Sequence, residues 1–299
     1  MKLHSPQTIK DIKQRYNFQL SKSLGQNFIT DPSVIDSIVE GAGICEEDLV
    51  VEIGPGIGVL TAAAAEACAK VVAIEIDDNL IPILQETLKD YDNIEVIHAD
   101  ILKTDLNEVI RQQVEKQAFS GAVRIIGNLP YYITTPIIMQ IFEDGVKADS
   151  VTVMMQKEVA DRIKAGPGNK TYGAISVAVQ YYCEVEKVIN VPKEVFIPRP
   201  KVDSTVLNFI IRKDKPATLK SEKVFFACIK AGFGKRRKTL LNSLAGVCGI
   251  ERDVVREVLE EAGIDASRRA ETLSMEEFAT IANVVCDFAI PQETAEWRD

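Results

Sequence analysis

The chain has 299 residues, 46% of them hydrophobic and 26% charged, which is the composition of a globular protein with a substantial core. No apolar run reaches the roughly 18 residues that a membrane-spanning helix needs, and the polar, basic N-terminus lacks the apolar stretch of a secretory signal. Two histidines and six scattered cysteines, without a Cys-x-x-Cys pair, argue against histidine-based triads, metal sites and disulfides. We therefore expect a cytoplasmic protein with reduced thiols and no metal.

The charge is distributed unevenly along the chain. The net charge is −9, yet residues 1–30 carry five basic and one acidic side chain, and residues 199–240 carry 12 basic and three acidic ones. Blocks of basic residues decide where a phosphate backbone can dock, whatever the average charge of the protein. The distribution predicts contact with nucleic acid through two segments of an otherwise acidic chain.

Short apolar runs alternate with helical patterns between about residue 31 and residue 156. Thr61–Lys70 and Asp78–Lys89 have helical patterns. The runs are β-branched and nearly continuously apolar, which is typical of parallel strands buried on both faces: Leu49–Ile53, Val71–Ile76, Ile94–Ala99, Val123–Gly127 and Val151–Met155. This alternation predicts an α/β fold in which helices cover both faces of a parallel sheet.

Two further strands are predicted near Glu184–Val191 and Ser204–Arg212. The Pro-rich segment between them is too short for a crossover helix, so we expect this pair to be antiparallel. A parallel sheet with such a terminal hairpin is similar to the Rossmann-like sheet of S-adenosylmethionine-dependent methyltransferases.

The pattern becomes entirely helical after Lys213. Four helices are predicted there: Ser221–Ala231, Lys238–Val247, Arg252–Ala262 and Ser274–Val285. We therefore expect a catalytic α/β domain over residues 1–213 and a small all-helical domain over residues 214–299.

A glycine-rich loop, Glu52–Gly58, follows the first predicted strand. Gly54, Gly56 and Gly58 are spaced G-x-G-x-G, whereas the dinucleotide fingerprint is G-x-G-x-x-G. Glycines allow a sharp turn and a close approach of the backbone to a ligand. A tight strand-to-helix turn without a ligand is the alternative interpretation, and the spacing favours a ligand that has no pyrophosphate.

An acidic residue follows each of the next two predicted strands. Glu75 ends the second strand and can accept hydrogen bonds from both hydroxyls of a ribose, and Asp100 follows the third and can accept one from an adenine amino group. Each could instead be a solvated loop carboxylate. Because the carboxyl ends of parallel strands meet at the edge where open α/β sheets bind ligands, the acids and the glycine loop together predict a nucleoside cofactor.

The fourth predicted strand ends in Asn128-Leu129-Pro130-Tyr131, which resembles the N-P-P-Y motif of amino-methyltransferases. The exocyclic nitrogen of adenine is a poor nucleophile because its lone pair is delocalised into the ring. The Asn128 side-chain oxygen and the Leu129 carbonyl can accept its hydrogens and localise that pair. Pro130 would rigidify the turn, and the ring of Tyr131 can stack on the base. The alternative is a Pro-Tyr turn that merely closes a strand.

The chain resembles the ribosomal RNA adenine N6,N6-dimethyltransferases from about residue 16 to residue 285. Five segments occur in the order found in that family: Ser23–Ile29, Glu52–Gly58, Asn128–Tyr131, Phe196–Ser204 and Gly232–Ser243. The pattern is most similar to the bacterial members linked to kasugamycin sensitivity. The resemblance implies S-adenosylmethionine-dependent dimethylation of two adjacent adenines in the 3′-terminal hairpin of small-subunit (16S) ribosomal RNA.

The resemblance also implies roles for individual residues. Phe196 would be a second aromatic near the target base, although a core position at a strand end is the alternative. Tyr132 departs from the family pattern, because many members have Asn after the motif. The residues implied at the cofactor are Asn27, Ile29, Gly54, Gly56, Gly58, Glu75, Asp100 and Asn128.

Basic residues are implied as the RNA contacts, although a solvated helix face would have the same composition. They are Arg199, Lys201, Lys235, Arg236, Arg237 and Lys238. The expected partner is small-subunit ribosomal RNA in a pre-assembled small subunit, modified by a monomer.

Other functions remain open at this point. A related enzyme that methylates large-subunit RNA and confers macrolide resistance has the same fold and loop, and the longer helical tail favours the small-subunit enzyme. A non-catalytic RNA-binding, ribosome-assembly or transcription factor on the same fold is an alternative of another class. A dehydrogenase is the most distant alternative because of the glycine spacing.

Overall fold

The structure, a computed structural model, describes residues 2–18, 25–117, 119–235 and 237–288. Its strands are β1 (Phe28–Ile29), β2 (Leu49–Ile53), β3 (Lys70–Glu75), β4 (Ile94–His98), β5 (Val123–Asn128), β6 (Ser150–Gln156), β7 (Cys183–Val191), β8 (Phe196–Ile197) and β9 (Ser204–Ile211). Its helices are α1 (Pro6–Arg15), α2 (Pro32–Gly41), α3 (Val59–Ala65), α4 (Ile81–Thr87), α5 (Leu106–Lys116), α6 (Thr134–Glu143), α7 (Lys157–Lys164), α8 (Ala174–Tyr182), α9 (Glu222–Gly234), α10 (Leu240–Ser243), α11 (Arg252–Glu261) and α12 (Met275–Phe288).

Seven strands of the described chain form one sheet, in the order β4-β3-β2-β5-β6-β9-β7. The first five in this order pair in parallel, and β9 pairs antiparallel with β6 from Ser150↔Ile210 to Gln156↔Ser204. The strand that comes last in the chain therefore lies between β6 and β7. The predicted α/β fold is confirmed, and the carboxyl ends of the parallel strands share one edge of the sheet.

The parallel strands in the middle of the sheet are buried, which is why their sequences are almost continuously apolar. All five residues of β2 are buried, as are the five that follow Lys70 in β3. The predicted strands agree with the observed ones to within one residue at each end.

Helix α3 is shorter than the Ala-rich pattern predicted. It begins directly after Gly58 and ends at Ala65, because the chain must turn before β3 begins at Lys70. The turn is closed by the Asp48 carbonyl, which accepts hydrogen bonds from the backbone N–H groups of Ala69 (3.1 Å) and Lys70 (3.4 Å).

Helix α4 begins at Ile81, three residues later than predicted. The Asp77 carboxylate accepts hydrogen bonds from the backbone N–H (3.0 Å) and the side-chain amide (2.8 Å) of Asn79. Such local side-chain bonds compete with the first turn of a helix, so this segment forms a turn.

The helix predicted over Lys238–Val247 is interrupted. Only α10 is α-helical in this stretch, and Val247–Gly249 forms a short 3-10 turn. Gly246 lies between them with φ of +91°, a left-handed conformation that ends a helix.

The chain divides into two compact units. The first contains the residues up to Ala160 together with Glu184–Ile211, and the second contains Asp161–Cys183 together with the residues from Arg212 onward. The division at Ile211 lies close to the predicted boundary at residue 213. The segment Asp161–Cys183, which we expected in the first domain, belongs to the second unit instead.

Aromatic packing explains why that segment joins the second unit. The ring of Tyr181, in α8, contacts Phe225 and Phe226 of α9 at centroid distances of 5.2 and 5.7 Å. The Tyr172 hydroxyl also donates a hydrogen bond to the Leu273 carbonyl (3.0 Å).

No helix of the described ranges is long and apolar enough to cross a membrane.

A small two-stranded sheet holds the segment before α2 in place. β1 pairs antiparallel with β8, with Phe28 opposite Ile197 and Ile29 opposite Phe196. The backbone N–H and the hydroxyl of Thr30 extend this pairing by donating to the Val195 carbonyl, each at 2.8 Å. This pairing determines where residues 25–29 lie in the first unit.

Candidate active site

A cleft of about 300 Å³ opens at the carboxyl edge of the parallel strands, within the first unit. Residues 25–29 and the segments that follow β2, β3, β4 and β5 form its walls. The predicted site residues that line it are Asn27, Ile29, Gly54, Gly56, Glu75, Asp100, Asn128, Leu129, Pro130 and Tyr131. The topology thus brings together most of the residues that the motifs singled out.

Gly54 and Gly58 have different roles in the glycine-rich loop. Both have positive φ, +70° and +89°, which side chains rarely adopt. A Cβ on Gly54 would meet nothing within 4 Å, so its backbone faces open space at the cleft. A Cβ on Gly58 would lie 2.9 Å from Leu88, and Gly58 is not among the cleft-lining residues. Gly58 therefore supports the turn into α3.

Glu75 is buried at the end of β3, and the local backbone orients its carboxylate. Oε1 accepts hydrogen bonds from the N–H groups of Ile76 (2.9 Å) and Asp77 (2.8 Å). Oε2 accepts only a long bond from the Gly56 N–H (3.4 Å), which leaves this oxygen able to accept from a ligand. Burial raises the pKa of Glu75, and the backbone hydrogen bonds oppose that shift.

Asp100 follows β4 and caps a short 3-10 turn, Ile101–Lys103. Its Oδ1 accepts a hydrogen bond from the Leu102 N–H (3.1 Å), and its Oδ2 lies 3.3 Å from the Lys103 ammonium. The turn therefore holds the Asp100 carboxylate in a defined orientation on the wall of the cleft.

Glu52 is an acidic residue of the cleft that the motif analysis did not assign to the site. It is 1% exposed, and its Oε2 has no hydrogen-bond partner in the described chain. Burial raises the pKa of Glu52 to about 8, and the nearby Glu75 carboxylate adds to the shift. The sequence signal that could have identified Glu52 is its position as an ionisable residue inside an otherwise apolar strand.

The lining of the cleft is acidic. Glu52, Glu75 and Asp100 are the acidic residues among those described in its lining, and no Lys, Arg or His is among them. Such a site favours a cationic ligand and disfavours the pyrophosphate of a dinucleotide. S-Adenosylmethionine carries a sulfonium and an ammonium group, so its positive charges complement this acidic lining.

The side chain of Asn128 is oriented by the segment that carries Asn27. Its Nδ2 donates a hydrogen bond to the Asn27 carbonyl (2.9 Å), and the Asn27 side chain donates to the Gly25 carbonyl (2.8 Å). Because a carbonyl only accepts, the nitrogen of Asn128 must face Asn27. Its Oδ1 has no hydrogen bond within the described residues and is free to accept one from a ligand in the cleft.

The turn after Asn128 is closed by hydrogen bonds to a single oxygen. The Pro130 carbonyl accepts from the backbone N–H groups of Ile133 (3.1 Å) and Thr134 (3.2 Å) and from the Thr134 hydroxyl (2.9 Å). Helix α6 begins at Thr134, so the turn is continuous with a rigid element.

Ser204 holds the ring of Tyr131, a contact that the sequence did not reveal. The two hydroxyl oxygens are 2.7 Å apart, and Ser204 is fully buried at the start of β9. Burial raises the pKa of Tyr131. The only sequence signal was that Ser204 ends one of the family segments. This partly buried hydrogen bond holds the hydroxyl end of the ring, which a stacking role requires.

Phe196 does not line the cleft. It is 3% exposed and packs in the core with Ile29, Val34 and Val206. Its proposed position near a target base stays a prediction.

The basic residues are distributed over both units. Arg199 forms an ion pair with Glu194, and Lys201 is exposed. In the second unit, Lys235, Arg237 and Lys238 are exposed and have no ion pair within the described chain, and Arg236 lies outside the described residues.

The fold and the acidic cleft together define an S-adenosylmethionine-dependent methyltransferase. Residues 17–287 match the family described as "Ribosomal RNA adenine dimethylase", and the chain belongs to that family. A protein of Clostridioides difficile named "Ribosomal RNA small subunit methyltransferase A" is 50% identical over 95% of this chain and 97% of its own. A protein of Alkaliphilus metalliredigens with the same name is 51% identical over 95% and 98%.

Solved structures of similar fold agree with this assignment. A dimethyladenosine transferase from Plasmodium falciparum superposes with a TM-score of 0.71 at 26% identity, over 85% of this chain and 95% of that one. The 23S rRNA methyltransferase ErmE has a TM-score of 0.65 at 24% identity, over 87% and 99%, and shares the fold.

We expect Glu75→Ala to weaken the binding of S-adenosylmethionine by about 1.5–3 kcal/mol, the range for hydrogen bonds to a charged group. The fold should persist, because the carboxylate lies at a ligand-facing edge. Calorimetric titration measures the affinity. Asp78→Ala is the control, since Asp78 is exposed and does not line the cleft. Equal affinities for the Glu75 variant and the wild type would remove Glu75 from the site.

We expect Glu52 to make stability depend on pH. The folded state keeps the Glu52 proton up to a pKa of about 8, whereas the unfolded chain loses it near 4.5. Between these values the folded state binds more protons, so its stability falls as pH rises, by at most about 1.4 kcal/mol per pH unit. Glu52→Gln keeps a neutral side chain and removes this dependence. Urea unfolding of both proteins at several pH values measures the difference, and parallel curves would contradict the assignment.

Proposed function

We propose that this enzyme transfers methyl groups from S-adenosylmethionine to N6 of two adjacent adenines in the 3′-terminal hairpin of small-subunit (16S) ribosomal RNA. The observation that carries the chemistry is the oriented Asn128 amide in an acidic cleft. The names of relatives about 50% identical over nearly the whole chain support the choice of RNA.

The cofactor supplies an electrophilic methyl group on a sulfonium. Transfer to N6 would break the S–CH3 bond and release the neutral thioether S-adenosylhomocysteine, while the N6 proton passes to solvent. Glu75 Oε2 would accept hydrogen bonds from the ribose hydroxyls, and Asp100 would accept one from the adenine amino group. Glu52 adds a third, largely protonated carboxyl group to the same wall of the cleft. Asn27 and Ile29, held by the pairing of β1 with β8, would close the cofactor side of the cleft.

Asn128 and Leu129 would activate the target nitrogen. The Asn128 Oδ1 and the Leu129 carbonyl accept hydrogens of N6, which localises its lone pair toward the methyl group. Tyr131, held by Ser204, would stack on the base. The rate gain in this proposal comes from alignment and from oriented dipoles.

The proposed RNA contacts are the exposed basic residues Arg199, Lys201, Lys235, Arg237 and Lys238, with Arg236. The acidic cleft repels phosphates, so backbone contacts must come from elsewhere on the protein. The target adenine must be unpaired or flipped, because N6 is otherwise engaged in base pairing.

We further propose that the substrate is the RNA of a pre-assembled small subunit and that a monomer modifies it in the cytoplasm. Every proposed contact to the cofactor and the target base comes from the first unit of one chain, so catalysis needs no second copy. The first unit would be the catalytic domain, and the second unit would be the RNA-binding domain.

The proposal is tested by incubating the enzyme with labelled S-adenosylmethionine and unmethylated small or large subunits, and then mapping the modified bases. We expect dimethyladenosine at two adjacent positions of the small-subunit RNA alone. Label in the large subunit would favour the macrolide-resistance type of activity, and no label in either would favour a non-catalytic role.

We expect Asn128→Ala to lower the rate of methyl transfer by about 100- to 1000-fold, the cost of removing one oriented polar group. RNA binding should be nearly unchanged, because the basic residues lie elsewhere. Because monomethyladenine keeps only one hydrogen on N6, the ratio of mono- to dimethylated product should also change. Single-turnover assays with cofactor and RNA both saturating isolate the step, and a rate within a few-fold of wild type would refute the assignment.

We expect the variant Lys235→Ala, Arg237→Ala, Lys238→Ala to bind RNA more weakly and with less salt dependence. Each lost phosphate contact lowers the slope of log affinity against log salt by somewhat under one unit. A control with the same loss of charge replaces Arg111, Lys116 and Lys220, each of which is paired with an acid. Equal slopes for the two triple variants would show that these three residues are exposed to solvent without contacting RNA.

A further inference from the structure

Tyr132 is exposed at the rim of the cleft. It is 58% exposed, more than the other large hydrophobic residues on the described surface, and it is the only aromatic among them. It also lines the cleft, as does Leu102, which is 40% exposed. An aromatic ring left in water beside a nucleoside site is available for contact with a second planar group.

The ring of Tyr132 is carried on a rigid support. Tyr132 lies within a turn that the Pro130 carbonyl closes by accepting hydrogen bonds from Ile133 and Thr134. On the other side lies Gly25, where an added Cβ would be 3.7 Å from Tyr132 Cε1 and 3.2 Å from the Pro130 side chain. Gly25 therefore lies near one edge of the ring, while 58% of the residue remains exposed.

Tyr131 and Tyr132 differ in what their hydroxyl groups do. The Tyr131 hydroxyl is bonded to buried Ser204, which fixes that ring inside the cleft. The Tyr132 hydroxyl has no hydrogen bond in the described part of the chain. Among the described residues, the ring of Tyr132 is thus exposed and its hydroxyl unbonded, so its open face is available to bind a ligand.

We propose that Tyr132 forms a second stacking site at the mouth of the cleft, which holds the nucleotide next to the adenine that is being methylated. This inference rests on the proposed function, in which two adjacent adenines are modified. When one base enters the cleft, its neighbour in the chain must lie at the rim. An aromatic ring can stack on any base and, unlike Lys or Arg, brings no positive charge to the rim of an acidic cleft.

The same site serves both rounds of the reaction. Stacking on an aromatic face does not depend on which base is present, so a neighbour can be held before or after its own methylation. A rigid aromatic also loses little conformational entropy when it binds. Tyr132 would thus act on the affinity for RNA in both rounds, while Asn128 acts on the chemical step.

The test compares Tyr132→Ala, Tyr132→Phe and the wild type on unmethylated small subunits. We expect Tyr132→Ala to raise the KM for RNA by about 5- to 150-fold, with a smaller change in kcat. Tyr132→Phe keeps the ring face and should behave as the wild type. The control is Val114→Ala, since Val114 is 47% exposed and does not line the cleft.

A second measurement reports stacking directly. 2-Aminopurine, placed beside the target adenine in a hairpin RNA, should be quenched by wild type and Tyr132→Phe but not by Tyr132→Ala. An unchanged KM and unchanged quenching in a folded Tyr132→Ala protein would overturn the stacking site. Loss of S-adenosylmethionine affinity in that variant would overturn it too, because the ring would then support the cofactor cleft. A wild-type enzyme that modifies no small-subunit adenine would instead refute the proposed function.

Discussion

The hydrogen bond from Asn128 Nδ2 to the Asn27 carbonyl is the interaction on which the site depends. It joins residues 101 positions apart, and it fixes which atom of the Asn128 amide faces the cleft. It can form only because β1 pairs with β8, which holds residues 25–29 against the turn after β5. The acceptors proposed for adenine N6 are therefore oriented before any ligand binds, and preorganised dipoles of this kind need no rearrangement during the reaction.

The acidity of the cleft separates the two binding tasks of the enzyme. Three carboxyl groups at one sheet edge carry a cost, which is visible in the raised pKa values of Glu52 and Glu75. In return the cleft attracts a cationic cofactor and repels phosphates. Because no described basic residue lines it, the RNA contacts that we propose are basic residues outside the lining of the cleft and the ring of Tyr132 at its rim. The overall charge of −9 is thus compatible with RNA as a substrate, because the basic residues are concentrated in segments.

The three aromatic residues that we assign to the target RNA lie in different environments. Tyr131 is held by Ser204, Tyr132 is left open, and Phe196 is buried in the core. Spacing in the sequence does not distinguish these three situations, because each depends on which strand lies beside the ring. The insertion of β9 between β6 and β7 places Ser204 beside Tyr131.

The sequence by itself determined the strands of the sheet, the glycine-rich loop, the acids at the ends of β3 and β4 and the Asn128–Tyr131 turn. Burial on both faces leaves a local apolar signature, and positive φ requires glycine at Gly54 whatever the surroundings. Only the tertiary structure decided the early end of α3, the membership of Asp161–Cys183 in the second unit, the partner of Tyr131 and the lack of a partner for Glu52 Oε2. These features depend on contacts between residues far apart in the chain, and neither periodicity nor propensity records which distant segment will pack there.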